Sequence, residues 1–311
     1  MTDGLFLDPG RGIKASSGHW YRIEQLLGAG GNAVSYLVVC TDGPHRGVPF
    51  ALKFFRRMSK PERLAAFLEE LEFLKTCDHP AIMRVYDDGT FSFWTDGQRN
   101  EFPFLVAEYL PSTLFQIMKA NAASITEKVI FATQILAGLT YLAGQSPPVV
   151  HRDVKPQNIF VKGRACVLGD FGLLKRLDDE PESEDRDLLK ESVGIGMPYF
   201  YRSPDLVAYA CNETSITTKS DVFQLGLVLT ELFTGRNPCA RPTDDDPLTA
   251  VQLEPMRAIP SNHGGLIAPL LRDMLLMDPA KRPSAEALLA RWLGAFDTLA
   301  GLARDLNGVV F

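Results

Sequence analysis

His151-Arg152-Asp153-Val154-Lys155-Pro156-Gln157-Asn158, followed one hairpin later by Asp170-Phe171-Gly172, is the stretch on which the rest of the chain is organised. One short loop carries a carboxylate, a lysine and a carboxamide, and a second carboxylate follows. Phosphoryl transfer calls for such a set: a group that orients the attacking hydroxyl and hard oxygen ligands for Mg²⁺. It also calls for positive charge where negative charge develops in the transition state. A lone His-x-Asp would read as a polar surface loop. Two spaced motifs with partners upstream do not fit that reading.

The stretch resembles the catalytic loop and metal-binding motif of eukaryotic-type (Hanks-type) protein kinases, H-R-D-x-K-x-x-N and then D-F-G. Lys155 points to the Ser/Thr class, and the compact domain with its Gly-Gly loop is similar to bacterial members. The resemblance implies an α+β, two-lobed protein kinase fold: a small antiparallel-sheet N-lobe with one main helix, and a larger, mostly helical C-lobe. It implies that Asp153 orients the acceptor hydroxyl and that Lys155 neutralises the transferring group. Asn158 and Asp170 become ligands of Mg²⁺ (or Mn²⁺), with ATP as phosphoryl donor. His151 and Phe171 look like members of an apolar stack, so His151 reads as structural.

Upstream, Tyr21–Leu27, Ala33–Thr41 and Pro49–Arg56 have strand character, with turn chemistry at Thr41-Asp42-Gly43-Pro44. Gly28-Ala29-Gly30-Gly31-Asn32-Ala33 lies between the first two. Glycines let a backbone approach phosphates closely. A Gly-rich hairpin alone is a weak signal; ahead of a strand lysine it resembles the nucleotide-covering loop, assigned to Gly28, Gly30 and Gly31. Two positions depart from the family pattern: Ala33 replaces the third glycine, and Ser35 replaces a valine that packs on adenine. Phe50-Ala51-Leu52-Lys53 resembles V-A-I-K. A strand lysine flanked by apolar residues needs a partner, expected on a helix spanning Pro61–Thr76 with Leu64, Phe67, Leu68, Leu71 and Leu74 on one face. Glu69, Glu70 and Glu72 compete, and alignment from Cys77-Asp78-His79-Pro80 selects Glu70. Phe102–Tyr109 reads as a strand leading to an interlobe hinge. The resemblance adds Ala51, Ala107, Glu108, Leu110 and Phe160 to the ATP-binding set, with Ala107 a small residue at the rear of the pocket.

Downstream, Ser124-Ile125-Thr126-Glu127 starts a long core helix running to Ala143. Leu173–Asp205 should form the activation segment, whose middle, residues 178–185, is strongly acidic. That acidity reads as a solvated loop. The sharper alternative is a partial substitute for a phosphate facing Arg152. Arg152, Ser183 and Ser192 are accordingly the regulatory candidates. Residues 196–205 resemble G-T-P-x-Y-x-[AS]-P-E, with Met197 or Pro198 in place of the threonine and Asp205 in place of the glutamate that pairs with a distant arginine, here Arg282. Ser220–Phe233 resembles the buried helix whose Asp221 caps the catalytic-loop backbone. Leu266–Leu276 and Ala285–Phe296 read as further helices. The domain reading is a loosely held extension over 1–18 and a kinase domain over 19–292, divided into N-lobe 19–107, hinge 108–112 and C-lobe 113–292. A helical tail occupies 293–311.

Composition reads as that of an ordinary soluble globular protein. The 311 residues are 46% hydrophobic with a formal net charge of −6, which disfavours a nucleic-acid partner. Cys40, Cys77, Cys166, Cys211 and Cys239 are scattered and lack C-x-x-C spacing, as expected of reduced thiols in the cytoplasm. No apolar run reaches membrane-spanning length, and Met1-Thr2-Asp3-Gly4 does not open a signal peptide. The expected partner is a protein substrate with a Ser/Thr acceptor, with self-association for autophosphorylation. The alternative is a kinase-fold binding or scaffold module with weak or no catalysis, favoured by Ser35 and the absent threonine.

Overall fold

A computed structural model describes residues 6–30, 32–56, 60–95, 98–177, 186–187, 189–190, 199–241, 248–260 and 262–307. They form an N-terminal unit, Met1–Asp78 with Met83–Leu110, and a C-terminal unit, His79–Ile82 with Pro111–Phe311.

The N-terminal unit is built on one antiparallel sheet. Its strands are β1 (Gly12–Lys14), β2 (Trp20–Ala29), β3 (Ala33–Cys40), β4 (Pro49–Phe55), β5 (Val85–Thr95) and β6 (Gln98–Glu108), in the order β1-β2-β3-β4-β6-β5. Alternation along β4 divides the unit into two apolar faces. Phe50, Leu52 and Phe54 join Tyr21, Val34, Tyr36, Phe104 and Val106 on one face. On the other, Phe55 packs with Leu105, Ala107, Phe67 and Leu71, the last two from helix α1 (Pro61–Thr76). Lys53, two residues before Phe55, belongs to this helix-facing row.

Two sequence expectations are corrected here. Residues 12–14, placed within a loosely held extension, form β1, and Ile13 is buried in the sheet core. The cause is pairing that local composition does not reveal. Gly10 donates its N–H to the Ile23 carbonyl at 2.7 Å, and the Ser17 and Tyr21 hydroxyls both donate to buried Asp87 on β5. On α1, Leu68 lies outside the buried face, at 43% exposure. Phe67, Leu71 and Leu74 are buried as expected, and Arg63, Glu70 and Phe73 are buried with them. Glu70 turns inward to meet Lys53.

The C-terminal unit surrounds helix α5 (Lys219–Thr234), which is buried from Ser220 to Phe233 except at Glu231. Gly226 permits this: a Cβ there would lie 2.9 Å from Met274 Cβ and 3.0 Å from Leu275 Cδ2. It lets α5 approach α6 (Gly264–Met274) closely. Around it lie α2 (Leu114–Ala120), α3 (Ile125–Ala143), α4 (Pro204–Ala210) and α7 (Ala285–Asn307). Helix α3 starts at a capping box: Ser124 N–H donates to Glu127 Oε2 at 2.9 Å, and Glu127 N–H to Ser124 Oγ at 3.3 Å. Helix α7 runs unbroken through residue 293, with Leu288, Trp292, Ala295 and Leu299 buried. The tail proposed from 293 therefore has no structural boundary at that point. Short strands complete the unit: β7 (Ser112–Thr113), β9 (Ile159–Lys162) and β10 (Ala165–Leu168) in one sheet, and β8 (Val149–Val150) paired with β11 (Lys175–Arg176). Among the described residues, no helix is long and apolar enough to cross a membrane.

Candidate active site

In the N-terminal unit, Lys53 Nζ lies 2.9 Å from Glu70 Oε1 and 3.1 Å from Oε2. The Glu70 side chain is 3% exposed and that of Lys53 22%. Of the three acids on α1, Glu69 and Glu72 face solvent. A buried carboxylate held by a lysine on both oxygens satisfies two groups that would each be costly alone. The β2–β3 turn closes through a hydrogen bond from Gly30 N–H to the Ala33 carbonyl at 2.9 Å. A Cβ at Gly28 would meet nothing within 4 Å, and at Gly30 only the Ala33 carbonyl at 3.8 Å. Packing therefore does not require glycine at either position; what glycine supplies is clearance above the turn. Gly31 lies outside the described residues. Ser35 pairs with both Gly28 and Lys53 across the sheet, so the glycine turn and the lysine are fixed by one strand. Ala51 pairs with Ala107. Glu108 donates its N–H to the Arg84 carbonyl at 3.1 Å, and Leu110 is buried at the end of the unit.

In the C-terminal unit, the loop 151–158 is held from below by α5. Asp221 accepts the His151 N–H at 2.7 Å and the Arg152 N–H at 2.8 Å. These bonds hold Arg152 at φ 67°, a left-handed conformation that is costly for a long side chain. His151 is fully buried, its ring edge-on to Phe171 at 4.5 Å. Its Nε2 faces the Gly169 carbonyl at 3.2 Å while Nδ1 accepts the Asp153 N–H at 3.2 Å. Burial pushes its pKa down to about 4, so the neutral ring is a structural strut.

Asp153 Oδ2 is held by Lys155 Nζ at 2.7 Å and Asn158 Nδ2 at 2.9 Å. Its Oδ1 is buried and, among the described residues, has no hydrogen-bond partner. Burial pushes the Asp153 carboxyl up to about 6 against the opposing charge of Lys155, with Asp170 adding to the rise. Burial likewise raises Asp221 to about 7. Asn158 spends Nδ2 on Asp153 alone, on its backbone carbonyl at 3.0 Å and on Oδ2. Asp170 is exposed at φ 60°, a conformation aspartate tolerates well. Phe160 sits on β9, paired with Thr113 and Val167.

The sequence matches the protein kinase domain family over residues 21–293, most of the chain. The chain belongs to the protein kinase family. Among its curated relatives, it is 31% identical over 232 residues to a probable serine/threonine-protein kinase PknB of Bifidobacterium longum (strain NCC 2705), covering 72% of this chain and 31% of that protein. It is 30% identical over 235 residues to the serine/threonine-protein kinase STE11 of Saccharomyces cerevisiae, covering 74% and 30%. It is also 27% identical over 279 residues to ephrin type-A receptor 8 of Mus musculus, covering 88% and 26%. The chain thus spans less than a third of the length of each of these relatives. The family uses ATP and a divalent metal and acts on proteins.

Within this kinase domain, two supporting residues escaped the sequence reading. Gln224, fully buried on α5, accepts the Val154 N–H on Oε1 at 3.1 Å. Its Nε2 donates to the Arg152 carbonyl at 3.0 Å and the Tyr201 carbonyl at 2.9 Å. It therefore ties the catalytic-loop backbone to the end of the activation segment. Arg56 donates from Nη2 to the Gly30 carbonyl at 2.6 Å, and its own N–H donates to the Asn32 carbonyl at 3.0 Å, bracing the glycine turn. A polar residue inside an apolar helical run was the available signal for Gln224; Arg56 carried none. Arg152 is buried, its guanidinium donating to the Leu173 and Leu174 carbonyls. Ser183, Ser192, Met197, Pro198 and the acidic run 178–185 lie outside the described residues. The shorter Asp205 carboxylate does reach Arg282, whose Nη1 lies 3.1 Å from Oδ1.

Proposed function

We propose that this kinase domain transfers the γ-phosphoryl group of ATP to serine and threonine hydroxyls of proteins, its own Ser183 and Ser192 among them. One observation carries the reading: the Asp153 carboxylate is fixed on one oxygen by Lys155 and Asn158, and its other oxygen is buried with no partner among the described residues. Such an oxygen is poised to accept an incoming hydroxyl. Desolvation also raises its proton affinity towards the working range of a general base. Lys155 lies against Oδ2 of the same carboxylate and neutralises charge on the group in transfer. Lys53, oriented by Glu70, engages the non-transferred phosphates, and the clearance over Gly28 and Gly30 admits them.

The donor set fits Mg²⁺. With Nδ2 spent on Asp153, Asn158 offers its carbonyl oxygen, and Asp170 offers an exposed carboxylate. Among the described residues, no group of three or more His, Cys, Asp or Glu is arranged to hold a metal. Mg²⁺ shared with nucleotide phosphates needs no such cage. When bound, it supplies charge neutralisation on the phosphates. The Glu108 N–H is engaged by the Arg84 carbonyl; adenine recognition is assigned to the Glu108 carbonyl and the Leu110 backbone. All five cysteines are free thiols, in keeping with a cytoplasmic protein.

The test is incubation of the purified chain with ATP, Mg²⁺ and a generic protein substrate, read by phosphosite mass spectrometry beside Asp153→Ala and Lys53→Ala. Phosphoserine and phosphothreonine should appear with the unaltered chain and be lost in both variants. ATP binding without transfer would move the assignment to a kinase-fold scaffold.

A further inference from the structure

The C-terminal unit contains a cavity of about 330 Å³ that none of the residues assigned to phosphoryl transfer lines. Its walls come from the end of α2 (Ile117, Met118 and Asn121), the first turns of α3 (Lys128) and the end of α5 (Leu232 and Phe233). The volume lies at the small end of the range for small-molecule sites, and the walls mix apolar side chains (Ile117, Met118, Leu232 and Phe233) with polar ones (Asn121, Lys128, Glu231 and Thr234).

Lys128 gives the cavity its chemical character. It is half-buried, and burial alone lowers the proton affinity of its amine. Among the described residues, no acid pairs with it. Its described contact is the Phe233 ring, with Nζ 6.0 Å from the centroid, the outer edge of a cation–π interaction. Glu231 also lines the cavity, but its Oε2 is taken by the Tyr201 hydroxyl at 2.5 Å and Asn237 Nδ2 at 3.3 Å. A cation drawn out of water without a counter-charge is unfavourable, and a bound anion would relieve it. The rival account is that the lysine stem covers Phe233 while its head reaches water. The two differ in what they demand of a ligand: the rival predicts no preference for charge.

We propose that this cavity is a binding site for a small amphipathic carboxylate. Its carboxylate pairs with Lys128, and its apolar body lies against Ile117, Met118, Leu232 and Phe233. Asn121, at the α2 end, lines the same cavity and offers an amide donor to the same head group.

The experiment uses the whole chain and two probes of equal length, octanoate and octanamide. Calorimetry measures affinity, and the Met118 methyl resonance reports occupancy. Octanoate should bind at least about ten-fold more tightly than octanamide, the worth of one charge-assisted contact. Lys128→Met should bring octanoate down to the octanamide level, whereas Lys128→Arg should keep the preference. Met118→Trp, which fills the cavity from a half-buried position, should abolish both; melting curves establish that each variant is folded. Equal affinity for the two probes overturns the proposal. So does failure of the unaltered chain to bind octanoate at millimolar concentration, or unchanged octanoate affinity in Lys128→Met.

Discussion

Replacing Gln224 by Met keeps the length and nearly the volume of the side chain while removing every polar atom. Three backbone groups then lose their partner in a fully buried setting: the Val154 N–H and the carbonyls of Arg152 and Tyr201. At a net worth of about 1 kcal/mol per hydrogen bond, the loss is about 3 kcal/mol, and more where the orphaned groups stay dry. Domain stabilities of about 5–15 kcal/mol make this a large fraction of the total. Gln224→Glu separates hydrogen bonding from packing. One oxygen can still accept the Val154 N–H, but the other replaces a donor and faces two carbonyl oxygens. Burial raises the new carboxyl's pKa, so the native state favours its protonated form and stability falls as pH rises through that pKa. Urea unfolding at pH 6 and pH 8, read as midpoint shifts at constant m-value, measures both variants. Because Val154 lies between Asp153 and Lys155, kcat should fall about 10- to 100-fold even where the protein stays folded. A Gln224→Met loss below about 0.5 kcal/mol, the range of ordinary surface changes, would refute the assigned role. So would Gln224→Glu proving the more stable of the two at pH 8.

Gly226→Ala should destabilise by about 1–3 kcal/mol in a thermal melt, because Met274 Cβ at 2.9 Å cannot swing aside. A gain of about 1 kcal/mol, the helix-propensity expectation for Gly→Ala, would overturn the close-packing account. Arg282→Met strands the buried Asp205 carboxylate and removes the Arg282 bonds to the Lys219 and Leu276 carbonyls. The expected cost is about 3–5 kcal/mol, with the Asp205→Leu/Arg282→Met double variant regaining part of it, read by a double-mutant cycle. In the pH profile of kcat/KM, activity should fall as pH drops through about 6, since Asp153 must be ionised to accept a proton. Lys155 lowers that pKa, so Lys155→Met should move the acidic limb to higher pH; carbon NMR of the Asp153 carboxyl checks the same shift directly.

Some features of this protein are written in short-range chemistry and need no tertiary information. The capping box at Ser124 and Glu127, the apolar spacing of α3, and the alternation through β4 depend on residues within a turn or two of one another. The loop from His151 to Asn158 likewise brings its carboxylate, lysine and amide together within eight positions. Lys155 and Asn158 lie within reach of Asp153 along the loop, and the bonds from Asp221 and Gln224 fix the backbone on which they meet. What spacing leaves silent is contact between residues far apart in the chain. The hairpin of β5 and β6 escaped the reading beyond residues 102–109 because its register rests on pairing and on a bulge near Tyr86, not on a clean period. Strand β1 exists because β2 and the Asp87 network hold it. Leu68 faces water, although helical spacing placed it inward, while Lys53 draws Glu70 into the buried face. Gln224 reaches backbone groups about 70 positions away. Lys128 owes its surroundings to α2 and α5 as much as to its own helix. Sequence alone determined which chemical groups are present and how neighbours along the chain are turned. Tertiary structure decided which of them lose water together, and with it which charges are raised, paired or left waiting for a partner.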